Sequence, residues 1–115
     1  MKNAVTLTIL LLCAISAEAI ENRIKWSTAS EVSNFGYDVY RGDSEEGPFT
    51  KLTEDPIPGA GTVDTPTSYE YVDDTIAPET VYYYYVESIS MEGVREKFTP
   101  VFASKPKSPE GTDPQ

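Results

Sequence analysis

Apolar and polar side chains alternate along most of the chain. Arg23-Ile24-Lys25-Trp26-Ser27-Thr28 has a period of two, with Ile24 and Trp26 on one face. Gly36-Tyr37-Asp38-Val39-Tyr40 alternates again and puts Tyr37 and Val39 on one side. Phe49 to Thr53 predicts a short strand, and Tyr69-Glu70-Tyr71 begins another that Asp73-Asp74 ends. Val81 to Ile89, reading VYYYYVESI, is almost entirely β-branched or aromatic and is the most insistent strand. Met91-Glu92-Gly93-Val94 predicts a turn, and Lys97 to Ser104 a last strand. Ala29 to Asn34 reads as a polar connection. Glu54 to Thr67, with three Pro and two Gly, reads as a long loop. No segment shows a helical period with caps.

Short strands separated by turn signals predict an all-β, immunoglobulin-like sandwich of two sheets. No internal repeat is present, so one module is expected. The inward positions give a candidate core of Ile24, Trp26, Tyr37, Val39, Leu52, Tyr71, Tyr82, Tyr84 and Val86, with Phe98 or its neighbour.

Composition then bounds the setting. The chain has 115 residues, 39% of them hydrophobic, which suits one domain with a modest core. Its formal net charge of −10 argues against a nucleic-acid backbone or an anionic lipid surface as partner. Residues 1–19 have the order of a secretory signal. Lys2 is followed by an apolar run from Ala4 to Ile15, too short to span a bilayer, and then by Ser16-Ala17-Glu18-Ala19 with small residues at the two positions a signal peptidase reads. Leu12 before Cys13 does not fit lipid attachment. Cleavage after Ala19 would remove the one Cys and leave a secreted or periplasmic product without a disulfide or a membrane span. The expected organisation is signal 1–19, domain 20–104 and a disordered Pro-rich tail 105–115.

Ala77-Pro78-Glu79-Thr80-Val81-Tyr82-Tyr83-Tyr84-Tyr85-Val86 resembles the corner of the fibronectin type III family, Pro-x-Thr-x-Tyr-x-x-x-Val. In such sandwiches a Tyr near the start of a late strand bonds back to backbone upstream. Trp26 on an early strand, Gly36 to Arg41 as the third strand and Gly47-Pro48-Phe49-Thr50-Lys51-Leu52 as the strand after it extend the resemblance from Ile24 to about Pro106. Trp-Ser-Thr-Ala-Ser-Glu and Arg-Gly-x-Ser-x-x-Gly-Pro-Phe are similar to modules of bacterial exported proteins. A sandwich of another immunoglobulin-like family is the alternative. The resemblance implies structural roles for Trp26, Tyr37, Val39, Tyr82, Tyr84 and Val86. It also implies a strand before the Trp strand, for which only Ile20-Glu21-Asn22 remain after cleavage, so that strand is short or missing. The edge at Arg23 to Ser27 is then either guarded by its outward charges or open to a partner's strand.

Chemistry is sparse. His is absent, and with Cys13 removed the commonest bases, nucleophiles and transition-metal ligands are gone. Carboxylates are plentiful, but those in Asp43-Ser44-Glu45-Glu46 and Asp73-Asp74 match no calcium-loop spacing. No enzymatic activity, metal or cofactor is expected. Arg41-Gly42-Asp43 is an integrin-type tripeptide, but it ends a strand where a Gly and an Asp suit a turn, and the turn reading is preferred. The aromatic pattern is more informative. With Tyr82 and Tyr84 inward, Tyr83 and Tyr85 point outward, beside an outward Tyr40 on the neighbouring strand. These three are the candidate binding residues, for a sugar ring or a protein surface; the alternative is that they only stiffen the sheet. The expected function is an exported, non-catalytic module that binds an envelope or extracellular protein or glycan. The competing expectation is a structural spacer, a remnant of a multidomain adhesin or glycan-active enzyme.

Overall fold

A computed structural model describes residues 20–109, and the segments read as a signal and as the end of the tail lie outside the described residues. The architecture is all-β, without a helix among the described residues, and its two sheets pack as a sandwich. The strands are β1 (Asn22–Thr28), β2 (Glu31–Gly42), β3 (Phe49–Lys51), β4 (Ile57–Val63), β5 (Thr67–Asp73), β6 (Tyr83–Ser90), β7 (Arg95–Lys97) and β8 (Phe102–Ala103). β1 and β5 form the smaller sheet, with Trp26 opposite Tyr69. The larger runs β3-β2-β6-β7, with β4 also on β2 and β8 also on β6.

The alternation of the sequence becomes the core. Ile24, Trp26, Tyr37, Val39, Tyr82, Tyr84 and Val86 are buried together, with Leu52, Ile57, Tyr69, Tyr71 and Ile76 packed against them. Trp26 stacks on Tyr69 at 5.6 Å and meets Tyr37 edge-on at 5.4 Å. Its Nε1 is buried without an acceptor, a cost of roughly 1–3 kcal/mol that the ring packing must outweigh. The expected corner is present: the Ala77 N–H donates to the Tyr82 hydroxyl at 2.9 Å.

Four expectations need correction. The stretch from Ala29 to Asn34 is not a polar connection, because β2 begins at Glu31. Glu31 and Asn34 there are buried, and Glu31 accepts from Thr28, Asn34, Tyr69 and the Ala60 N–H. The Pro- and Gly-rich stretch is not a loop throughout, because β4 pairs with the first half of β2. Gly59 leaves room for that pairing, since a Cβ there would run into Asn34. Gly36 shows how close the approach is, since a Cβ there would lie 2.5 Å from the Ile57 carbonyl oxygen. The last strand is split into β7 and β8, with Pro100 in the break. Finally, Phe98 is 41% exposed and only meets Tyr37 edge-on at 5.5 Å.

Among the described residues β1 pairs with β5 alone, so its other edge carries no strand. The chain beyond β8 stays against the body: the Glu79 N–H donates to the Lys107 carbonyl at 2.8 Å, and Lys107 Nζ to Asn22 Oδ1 at 2.9 Å. The stretch read as tail is therefore anchored as far as Lys107.

Candidate functional site

The outward face of the larger sheet is built in rows. Register sets Tyr40 opposite Tyr85, Asp38 opposite Glu87 and Gly42 opposite Tyr83. Because side chains alternate, all of these stand on the face away from the core. β3 adds Phe49 and Lys51, β7 adds Lys97 opposite Glu87, and β8 adds Ala103 opposite Tyr83.

Tyr40 and Tyr85 are brought together. Their rings stack at 4.8 Å and 3° apart, and Phe49 meets Tyr85 edge-on at 5.1 Å. Lys97 Nζ lies 4.6 Å from the Tyr85 ring centre. β2 and β7 flank β6 from opposite sides, so Tyr40 and Lys97 cover opposite faces of that ring. Tyr83 stands one row away on the same face and joins no ring pair among the described residues. It is half-buried between Gly42 and the exposed Ala103, so no bulky side chain opposes it from β8. The face thus combines a closed aromatic stack with one separate phenol.

The carboxylates beneath are consumed by one cation. Arg95 Nη1 donates to Asp38 Oδ2 at 2.9 Å and to Glu87 Oε1 at 2.8 Å. Thr53 Oγ1 donates to the other Asp38 oxygen at 2.5 Å, and the Tyr40 hydroxyl to Glu87 at 2.9 Å. Burial, and then the Glu87 carboxylate that accepts its proton's hydrogen bond, push Tyr40 up to about 12. Burial and Glu87 also raise Tyr85. These groups hold the tyrosines in place.

Sequence reasoning missed Phe49, Asp38, Glu87, Arg95 and Lys97 as members of this face. Continuing the alternation outward from Tyr40 and Tyr85 would have found Asp38 and Glu87. Phe49, Arg95 and Lys97 required the register.

A second polar cluster closes the end where β1 starts. Asp73, 2% exposed, accepts from Arg41 Nη1 at 2.9 Å, from the Tyr84 hydroxyl at 2.6 Å and from Thr75. Burial alone would raise its carboxyl, but those hydrogen bonds from Tyr84, Thr75 and Arg41 prevail and hold it below the ordinary range. Asn22 Nδ2 donates to the Tyr84 hydroxyl at 2.9 Å. The Arg41 guanidinium also lies 4.7 Å from the Tyr82 ring centre. The first residue of the Arg-Gly-Asp tripeptide is therefore turned inward, while Asp43 is exposed on the turn that Ser44 and Gly47 close.

No family model matches the chain, and no solved structure matches it. Over 67 residues the chain is 37% identical to part of an amylopullulanase from Thermoanaerobacter thermohydrosulfuricus. The match takes in 57% of this chain and 4% of that enzyme, so the chain spans a small fraction of its relative.

Proposed function

We propose that the chain is an exported, non-catalytic module of fibronectin type III type that binds a glycan or a protein, outside the cytoplasm, through the outer face of its larger sheet. The two-layer arrangement, the Tyr82 corner bond and the order of the sequence marks support the family reading. The signal-like residues 1–19 support export. One observation carries the binding reading: a stacked Tyr40–Tyr85 pair, edged by Phe49 and with Tyr83 one row away, on the sheet face turned away from the core. Half-exposed tyrosines offer an apolar ring and a polar hydroxyl together, which suits sugars and protein surfaces alike. The partial likeness to a glycan-active enzyme favours a sugar. Arg41-Gly42-Asp43 serves as a turn in this reading, because Arg41 is held by Asp73 rather than presented.

A panel of oligosaccharides and envelope proteins, titrated by calorimetry against the protein, tests this. Saturable binding that Tyr83→Ser/Tyr85→Ser weakens at least tenfold is expected. Binding of no member, or binding indifferent to both substitutions, counts against it. The spacer reading has its own support, because both faces of the Tyr85 ring are already occupied within the molecule. It is the reading that remains if the panel fails.

A further inference from the structure

A different surface lies at the end of the sandwich where β1 turns into β2 and β6 into β7. Four large apolar side chains stand in solvent there: Val32 at 79%, Met91 at 57%, Val94 at 56% and Phe35 at 51% exposure. They are neighbours. The Met91 N–H donates to the Ser33 carbonyl at 2.9 Å, and Asn34 pairs with Ser90. Val32 and Val94 are the apolar part of a mostly polar cleft of about 190 Å³, walled otherwise by Ser33, Asn34, Ser88, Ser90 and Glu96. Phe35 is the extra residue of a bulge: two steps on β2, from Asn34 to Gly36, oppose one on β6, from Ser90 to Ile89. Exposed apolar side chains scattered singly need no explanation, but a cluster on a bulge does.

The backbone beneath the cluster is fixed. Ser33 has a φ of 49°, in the left-handed region that non-glycine residues seldom occupy. Its N–H is tied to Thr62 Oγ1 at 2.9 Å. The hairpin opposite closes through Ser90 N–H to the Val94 carbonyl at 2.9 Å, Gly93 N–H to the Ser90 carbonyl at 2.8 Å, and Val94 N–H to Ser90 Oγ at 3.0 Å. Such a surface is preorganised, so little ordering cost falls on binding.

The charges around it have one sign. Glu92 and Glu96 on the hairpin side and Asp64 at the β4–β5 turn are exposed and make no ion pair among the described residues. Arg95, the nearby cation, is taken by Asp38 and Glu87. A second copy meeting pole to pole would set these acids against each other, and an anionic bilayer would be repelled in the same way. The complementary partner is cationic.

We propose that this pole docks a polypeptide segment that presents apolar side chains between lysines or arginines, with its apolar side chains against the exposed Val32 and Val94 and its cations on Glu92, Glu96 and Asp64. This goes beyond the tyrosine-face reading and uses none of its residues. An array of hexapeptides tests it, each with two central apolar residues, flanked either by two lysines or by two glutamates on each side. The tightest members are then titrated into isotope-labelled full chain by NMR. Lysine-flanked members should bind saturably, shift the amides of Val32 to Asn34 and of Met91 to Val94, and weaken in 0.5 M salt. Val32→Ser/Val94→Ser should cost at least tenfold in affinity at unchanged melting temperature. Glu92→Lys/Glu96→Lys should turn the preference toward glutamate flanks, and Tyr83→Ser/Tyr85→Ser should leave binding intact. Equal binding of both flank types, shifts confined to the tyrosine face, pole-mediated dimers without peptide, or no bound member at all would overturn the proposal.

Discussion

At the residue scale, the molecule depends on buried carboxylates as much as on its aromatic core. Glu31 is 6% exposed and accepts four hydrogen bonds that join the β1–β2 turn, β4 and β5. Burial alone would raise its carboxyl, but donors from Tyr69, Asn34, Ala60 and Thr28 outweigh it and hold the group at about 2. A pKa depressed on folding stabilises above the unfolded value, near 4.5, and that stability is lost as pH falls through the folded value near 2. Such a shift contributes about 3 kcal/mol. The melting temperature should therefore fall steeply between pH 4.5 and 2. Glu31→Gln should be less stable at pH 7 and flatter across that window. An unchanged acid slope in the variant would place the acid sensitivity elsewhere, with Asp73 the next candidate. Tyr82→Phe removes the corner bond and should cost about 0.5–1.5 kcal/mol in chemical denaturation. Trp26→Ala should cost roughly 3–5 kcal/mol. The inward apolar residues were legible because alternation marks them directly. Glu31, Asn34 and Asp73 were not, since a buried polar side chain looks like a loop residue until its partners, 3 to 38 residues away for Glu31, are brought to it.

At the element scale, β2 organises the larger sheet. It is 12 residues long, pairs β6 along one side, and splits the other between β3 and β4. Its second half was visible in the sequence as Gly36 to Tyr40. Its first half was hidden because the bulge at Phe35 breaks the period of two, and β4 was hidden by its Pro and Gly content. Both departures meet at Gly36. Gly36→Ala would force its Cβ against the Ile57 carbonyl oxygen. It should cost on the order of 1–3 kcal/mol and speed hydrogen exchange selectively in β4, a result readable by NMR. A neutral effect there would mean that β4 is free to move away. The Arg-Gly-Asp turn belongs to this scale too. Asp43→Glu should leave stability and cell adhesion unchanged, whereas Arg41→Ala should destabilise by stripping Asp73 of its cation.

At the scale of the whole molecule, Asn22 at the start of β1 and Lys107 beyond β8 touch, so the folded body is entered and left at one end. Beads threaded in line would carry their ends at opposite poles. The pole with Val32 and Val94 lies at the other end of this body. The tyrosine face runs along its side. The two surfaces are therefore spatially separate, and each is mutable without touching the core. Both rest on a single structural claim, that a two-stranded β1–β5 layer closes the larger sheet and leaves the second edge of β1 unpaired.

Residue-resolved hydrogen exchange of the full chain at neutral pH tests that claim most directly. The slowest amides should lie in Val39 and its neighbours on β2 and in Tyr84 to Val86 on β6. Within Arg23 to Thr28, protection should alternate, slow where the N–H faces β5 and fast where it faces the open edge. Uniform protection throughout β1 would mean that a further strand covers it, and fast exchange in the middle of β2 and β6 would contradict the sandwich itself.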